Sequence, residues 1–240
     1  MLPLKKIVTS SVGKKYVMGL SGLGLVFFVI MHLLGNLALL RSNGNAFNEY
    51  ADALGTLDWI LRVLEVGLFG TILVHVFFAL RLAVVNHQAR PQRYTMARSK
   101  KGPSRWNLSS MHMVVTGVVL GAFLVLHVLQ FQYGPGIAEG YVTEVKGKQM
   151  RDLYRLVNET FHNPYVVVIY VFTMLMLGFH LRHGFWSAFQ SLGQAYPRVS
   201  KPLYAVGVAL AILLSVGFLI LPLWLYFDVP ARLLAGGGVP

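Results

Sequence analysis

Five long apolar segments constrain the fold of this chain more than any other feature. They cover about residues 16–40, 59–86, 111–133, 164–189 and 201–227. Each is long enough to cross a bilayer, because a membrane-spanning helix needs roughly 20 apolar residues. Only 12% of the 240 residues are charged, so no soluble domain can be separated from these segments. The sequence therefore predicts an all-α membrane protein, a single domain over residues 1–240 with five transmembrane helices in one bundle.

The sequence lacks cysteine and a recognisable targeting segment, and each absence bears on what this chain can be. The sequence contains no cysteine, which excludes thiolate-ligated iron–sulfur clusters and disulfides from this chain. Neither a signal-peptide cleavage site nor an amphipathic transit segment precedes the first helix, so we expect the mature chain to begin at Met1.

Basic and acidic residues lie on opposite sides of the predicted helices. The acid-free side carries Lys5, Lys6, Lys14, Lys15, Arg90, Arg93, Arg98, Lys100, Lys101, Arg105 and Arg198. The other side carries Glu49, Asp52, Asp58, Glu139, Glu144, Asp152, Glu159 and Asp228. The positive-inside rule then predicts that the N-terminus lies in the cytoplasm and the C-terminus outside. We expect the membrane to be a prokaryotic cytoplasmic membrane. Membrane topology and attraction to anionic lipid headgroups explain the net charge of +12, so no nucleic acid is required. A more specific interpretation is that the basic side also docks a soluble partner.

Four histidines lie one apiece in four of the apolar segments. They are His32, His75, His127 and His180. An ionisable side chain inside a bilayer is costly and marks a functional site by default. At about 1.5 Å per residue, His32 and His127 lie roughly 24 Å from the inner surface, whereas His75 and His180 lie roughly 15–16 Å from it. Depth therefore predicts an outer pair, His32 with His127, and an inner pair, His75 with His180.

Each predicted pair takes its imidazoles from two different helices, as a haem held between helices requires. Neutral imidazole is a good iron ligand, and two per iron leave no open coordination position. We therefore expect two haems b with histidine as both axial ligands, and these would carry electrons rather than bind oxygen. Glycines along the same helices would make room for a flat macrocycle, although helix packing alone also explains them.

Haem propionates need hydrogen-bond donors. Arg81, Arg182 and His183 lie on the inner side and are the expected propionate partners there, and Arg41 is a candidate on the outer side. Snorkelling of arginine to the interface is the alternative, and it is the better explanation for Arg41. The remaining histidines lie at helix ends, where imidazole is usually solvated: His87, His112 and His162.

Two stretches carry a family resemblance. The first helix contains SGLGLVFFVIMHLLGNL (21–37), and residues 151–193 read RDLYRLVNETFHNPYVVVIYVFTMLMLGFHLRHGFWSAFQSLG. Both resemble the single-subunit, five-helix, dihaem cytochrome b anchor of succinate:quinone oxidoreductases, the group of succinate dehydrogenases and fumarate reductases. The resemblance covers the first four helices; HLRHGFWSAFQSLG is its most specific part, and the fifth helix is generic.

The resemblance implies a membrane-anchor subunit of an enzyme whose dicarboxylate chemistry lies in other subunits. It implies that the four matching histidines are the axial ligands, paired as depth pairs them. It also implies a flavoprotein subunit and an iron–sulfur subunit on the cytoplasmic side, and a membrane quinone, menaquinone in dihaem anchors. The inner haem would exchange electrons with the nearest cluster and the outer haem with quinone. The direction of the reaction and the position of the quinone site stay open.

Quinone chemistry needs protons, and acidic residues near the outer pair could handle them. Glu65 lies within the second helix, and Glu49 and Asp52 lie in the loop before that helix. We expect Glu65 to take part in quinone protonation, with an ion pair to Arg62 as the alternative. Two outer stretches follow helical spacing and are expected to lie along the surface or to cap a quinone pocket. They are Met150, Leu153, Tyr154, Val157 and Phe161, and Phe47, Tyr50, Ala51 and Leu54.

Two rival functions fit part of this pattern. A dihaem cytochrome b of another respiratory dehydrogenase, such as a hydrogenase or formate dehydrogenase, would also pair histidines by depth. A proton-coupled transporter would place histidines and a carboxylate in the membrane. The sequence contains neither an inverted repeat nor a helix broken at mid-depth, so it favours an electron carrier over a transporter.

Overall fold

The computed structural model of the chain describes residues 10–41, 44–89, 112–194 and 196–234. Its helices in chain order are α1 (Ser11–Asn36), α2 (Asn45–Gly55), α3 (Trp59–Gln88), α4 (Met113–Phe131), α5 (Leu153–Phe161), α6 (Pro164–Ser191) and α7 (Pro197–Leu234). Five of them, α1, α3, α4, α6 and α7, are long and apolar enough to cross a membrane. The five predicted apolar helices are thereby confirmed, with ends moved by a few residues. Residues 1–9 and 90–111, which hold most of the basic residues used to orient the chain, lie outside the described residues.

The long helices expose much of their apolar surface. In α3 no described residue is buried, and Val66 and Phe69 are 73% and 62% exposed. Contiguous apolar surface on this scale is unfavourable in water and indicates contact with lipid or with another protein. The exposure therefore fits a multi-pass membrane protein.

Local sequence explains where α6 begins and ends. Pro164 occupies the first helical position, where proline needs no hydrogen-bond acceptor, and the Asn163 side chain accepts from the amide of Tyr165 at 3.0 Å. At the other end Gly193 adopts a φ of +79°. The amide of Gly193 donates to Gln190, and the amide of Gln194 donates to Phe189, which is the hydrogen-bond pattern of a Schellman motif.

The chain divides into two compact units. The first unit covers Met1–Val29, Leu64–Val118 and Leu177–Leu213, and it contains His75 and His180. The second unit covers Ile30–Val63, Val119–Met176 and Leu214–Pro240, and it contains His32 and His127. Each unit therefore holds one of the two histidine pairs that depth predicts. The assignment of residues 1–240 to a single domain stays a prediction.

Small residues permit close helix contacts in the first unit. A Cβ added to Gly19 of α1 would lie 3.3 Å from the Ala188 carbonyl oxygen of α6. A Cβ on Gly207 of α7 would lie 2.8 Å from the Phe185 ring, also on α6. Such glycines let transmembrane helices approach backbone to backbone or backbone to ring. Helix α6 is thereby held between α1 and α7.

The second unit has a tighter interior. Leu214 and Leu225 of α7 are each only 1% exposed. The Ser215 hydroxyl donates to the Met174 carbonyl oxygen at 2.7 Å, which satisfies a polar group where water is excluded. A Cβ on Gly217 would lie 2.6 Å from a terminal methyl group of Leu33, so a larger residue here would require the Leu33 side chain to shift.

A β-hairpin follows α4 in this mostly helical structure. Strands β1 (Val142–Val145) and β2 (Lys148–Arg151) pair antiparallel, with Val145 opposite Lys148. The two turn residues, Lys146 and Gly147, have φ values of 54° and 77°, as a type I′ turn requires. Met150, which helical spacing assigned to an amphipathic helix, lies instead in β2 and is 6% exposed. The Lys-Gly turn between alternating residues was the signal for this hairpin.

Ion pairs connect the hairpin to α2, and hydrogen bonds connect it to the C-terminal end of α4. Lys146 lies 2.9 Å from Glu49, and Lys148 lies 2.6 Å from Asp52. These two acids of α2 are therefore paired with cations. The Arg151 guanidinium donates to three carbonyl oxygens at and after the end of α4, those of Phe131, Gly134 and Pro135. A cation there complements the partial negative charge of the helix C-terminus.

A buried asparagine of α2 is hydrogen-bonded to the start of α5. Asn48 of α2 is 2% exposed; its Nδ2 donates to Asp152, and its Oδ1 accepts from the Tyr154 amide, both at 2.9 Å. Val157 and Phe161 of α5 are each 5% exposed, which confirms the predicted amphipathic face of α5. The predicted face of α2 is only partly buried, since Phe47 is 6% exposed whereas Tyr50 is 40% exposed.

Asn48→Ala should lower the free energy of unfolding by about 1–3 kcal/mol, because it removes the two hydrogen bonds that Asn48 makes to Asp152 and to the Tyr154 amide. Denaturant titration of the purified protein in detergent measures this change. Asn45→Ala is the matched control, since Asn45 is an exposed residue of the same helix. Equal stability of the two variants would show that Asn48 does not join α2 to α5.

Candidate functional site

His75 of α3 and His180 of α6 face each other in the first unit. Their ring centroids lie 6.4 Å apart and their planes are inclined by 69°. Both side chains are partly buried. The structure thus brings together the two histidines that depth assigned to the inner pair, and we call them the His75–His180 pair.

A hydroxyl group touches each imidazole of this pair. Ser21 Oγ lies 3.3 Å from His75 Nδ1 and donates to the Met18 carbonyl oxygen at 3.1 Å. Thr116 Oγ1 lies 3.1 Å from His180 Nδ1 and donates to carbonyl oxygens one turn earlier in α4. A hydroxyl has one proton, so both contacts are hydrogen bonds only when Nδ1 of the imidazole donates.

His32 of α1 and His127 of α4 face each other in the second unit. Their ring centroids lie 5.7 Å apart and their planes are inclined by 87°. The Phe123 ring stacks on His127 at 5.5 Å, and the Phe218 ring lies 5.8 Å from His32. This is the pair that depth assigned to the outer layer, and we call it the His32–His127 pair.

A phenol is the partner of His127. The Tyr170 hydroxyl lies 3.1 Å from His127 Nδ1 and donates to Gln130 Oε1 at 2.7 Å. Because the phenolic proton goes to Gln130, the hydroxyl oxygen accepts from the Nδ1–H of His127. In three of the four histidines a hydroxyl therefore favours the Nδ1–H tautomer. That tautomer leaves the Nε2 lone pair available to a metal.

Two features of the pairs are compatible with a haem iron between the rings. Imidazole nitrogens at about 2.0–2.1 Å on both sides of a metal place the ring centres roughly 6.3 Å apart, close to the spacing of the His75–His180 pair and about 0.6 Å more than that of the other pair. Glycines lie against two of the rings, since a Cβ on Gly22 or Gly117 would meet the Cε1 atom of His75 at 3.2 Å or of His180 at 3.5 Å. Among the described residues no cluster of three or more histidine or acidic side chains could hold a metal ion by itself.

The predicted propionate partners are not gathered at the His75–His180 pair. His183 lies one turn from His180 on the same face of α6. Arg81 is exposed and lies about 240° around α3 from His75. Arg182 donates to the Tyr204 hydroxyl of α7 at 2.9 Å. Arg182 is thus directed toward α7, and the propionate roles of all three residues stay predictions.

A tryptophan beside this arginine was missed by sequence reasoning. Trp186 is 4% exposed and its ring lies 6.2 Å from the Tyr204 ring. Its Nε1–H is buried and has no acceptor among the described residues. A buried donor of this kind is costly unless an acceptor reaches it, so Trp186 joins Arg182 as a possible partner for an anionic group.

Glu65 lies on an exposed face of α3. Arg62 lies 3.4 Å from Asp58, so it is directed to that carboxylate rather than to Glu65, which was the alternative that the spacing suggested. Glu65 is flanked by Leu64 and Val66, which are 60% and 73% exposed. A carboxylate in this position borders the apolar surface that lipid would cover.

No protein-family model matches this chain, and neither a curated protein nor a solved structure matches it. The resemblance of residues 21–37 and 151–193 therefore stays an expectation from sequence. The geometry of the histidine pairs is independent of that resemblance.

The tautomers can be measured without a cofactor. In protein made with ¹⁵N-labelled histidine and kept free of haem, His75, His127 and His180 should give the imidazole signals of the Nδ1–H form above pH 8. Single His→Gln variants assign the signals. Signals of the Nε2–H form at these positions would contradict the hydrogen-bond directions given above.

Proposed function

We propose that this chain is the membrane-anchor and electron-transfer subunit of a succinate:quinone oxidoreductase, a succinate dehydrogenase or fumarate reductase. The observation that carries the proposal is the presence of one facing histidine pair in each unit, with a hydroxyl partner on Nδ1 of three of the four rings. His75 and His180 would hold the inner haem b, and His32 and His127 the outer haem b. When bound, the two groups would supply one-electron transfer.

The side chains around each histidine pair would hold the neutral imidazole ligands in fixed orientations. Nitrogen ligands from both sides fill the coordination sphere, which favours electron transfer over oxygen binding. Ser21, Thr116 and Tyr170 fix the ring orientation through Nδ1, as outer partners of metal-bound histidine commonly do. All four imidazoles are partly buried within apolar helices.

Sequence features support the choice of enzyme and partners. The resemblance of residues 151–193 points to succinate or fumarate rather than hydrogen or formate as the substrate of the complex. The acid-free basic side would dock the iron–sulfur subunit, which in turn binds the flavoprotein subunit. The missing cysteines agree with a division of labour in which all clusters lie in a neighbouring subunit. Menaquinone in the cytoplasmic membrane would be the other redox partner.

Haem content tests the pairing directly. The complex should contain two haems b per chain by reduced-minus-oxidised absorbance. His75→Ala and His180→Ala should each lose the same haem, whereas His32→Ala and His127→Ala should each lose the other, because one imidazole does not hold a six-coordinate iron.

His162→Ala is the control for these variants, because His162 is exposed and its Nδ1 lies 2.7 Å from the Asn158 carbonyl oxygen of its own helix. It should retain both haems. A colourless wild-type protein, expressed with haem supplied, would overturn the proposal in favour of a transporter. A red protein that copurifies with a hydrogenase or formate dehydrogenase would favour the other class of cytochrome.

Glu65 would exchange protons with quinone from the apolar surface of α3. Glu65→Gln should slow quinone turnover at least tenfold and change its pH profile, since the amide cannot carry a proton and general acid–base groups commonly contribute 10²–10⁴-fold. Asp58→Asn is the matched control, because Asp58 is exposed and lies near Arg62 at the start of the same helix. Unchanged turnover and pH profile in Glu65→Gln would remove this role.

A further inference from the structure

The hydroxyl partner of His127 differs in kind from those of the other pair. Ser21 and Thr116 give their protons to main-chain carbonyl oxygens of their own helices. Tyr170 gives its proton to a side chain on another helix, the Gln130 amide oxygen at 2.7 Å. His127, Tyr170 and Gln130 thus form a chain of two side-chain hydrogen bonds within the second unit.

Aromatic rings surround the phenol at the centre of this hydrogen-bonded series, and little of it is exposed. Tyr170 is 5% exposed. Its ring contacts the Phe123 and Phe161 rings edge to face, each with centroids 4.8 Å apart. Aromatic packing of this geometry fixes the phenol, so its hydroxyl has few orientations other than the one that joins His127 to Gln130.

Two hydrogen bonds in series strengthen each other where water is excluded. Because Tyr170 donates to Gln130, its oxygen becomes a better acceptor for the His127 Nδ1–H. An imidazole whose Nδ1–H is drawn toward an acceptor is a more basic ligand through Nε2. A more basic ligand favours the oxidised state of a bound iron.

We propose that Tyr170, positioned by Gln130, is the residue that lowers the redox potential of the group held by the His32–His127 pair. Tyr170 acts through His127 and is therefore a positioning residue, not a catalytic one. This inference rests on the proposed function, because it concerns the haem that this pair would hold.

The test is a spectroelectrochemical titration of the purified complex carrying Tyr170→Phe. The phenylalanine keeps the ring packing and removes only the hydroxyl. The equilibrium constant for reduction of the haem at the His32–His127 pair should rise about three- to tenfold, and tenfold is about 59 mV for one electron. The haem at the His75–His180 pair should not change. His75→Ala, which would lack that second haem, assigns the two waves.

Two further variants separate this role from a general effect on packing. Gln130→Leu leaves Tyr170 in place and removes the acceptor of its proton, so it should shift the same haem in the same direction by a smaller factor. Thr173→Val is the matched control; Thr173 is 2% exposed, lies one turn from Tyr170, and its hydroxyl donates to the Ile169 carbonyl oxygen of its own helix. It should move neither potential.

Both haems present with unchanged potentials in Tyr170→Phe would overturn this role and leave the proposed function standing. An equal shift in Thr173→Val would also overturn it, because the effect would then belong to packing. A wild-type complex without haem would overturn both the role and the proposed function, and haem content distinguishes that outcome before any titration.

Discussion

The placement of imidazoles inside apolar helices is the constraint on which the rest of this molecule depends. A buried imidazole needs a partner for its N–H, because an unsatisfied donor costs about 1–3 kcal/mol. Ser21, Thr116 and Tyr170 provide acceptors for His75, His180 and His127. These hydroxyls favour a proton on Nδ1 and leave the Nε2 lone pair available. Each of these three imidazoles therefore has a hydrogen-bonded Nδ1 and an Nε2 that carries no proton.

The two histidine pairs lie in different surroundings. The His75–His180 pair has small hydroxyl residues and glycines against its rings. The His32–His127 pair has a phenol and several phenylalanine rings. Identical ligands in different surroundings give different redox potentials. Under the proposed function, such a difference in potential would set the direction of electron transfer between the two haems.

The sequence predicted the helices and the histidine pairs because both follow from regular geometry. Length and apolarity locate a membrane helix, and a constant rise per residue converts position into depth. The hydroxyl partners were missed because Ser21, Thr116 and Tyr170 lie 43–64 residues from their histidines, on other helices. No local pattern reports such a contact. The hairpin was missed for a different reason: Met150 fits helical spacing with α5, and four-residue strands carry little periodicity of their own.

The central claim is that each facing pair supplies both axial ligands of one iron. Low-temperature electron paramagnetic resonance and near-infrared magnetic circular dichroism of the oxidised complex test it most directly, since together they report spin state and ligand type. We expect two low-spin ferric haems, both with the charge-transfer band of bis-histidine ligation. A high-spin signal, or a band typical of another axial ligand in fully loaded protein, would contradict the pairing of these four histidines.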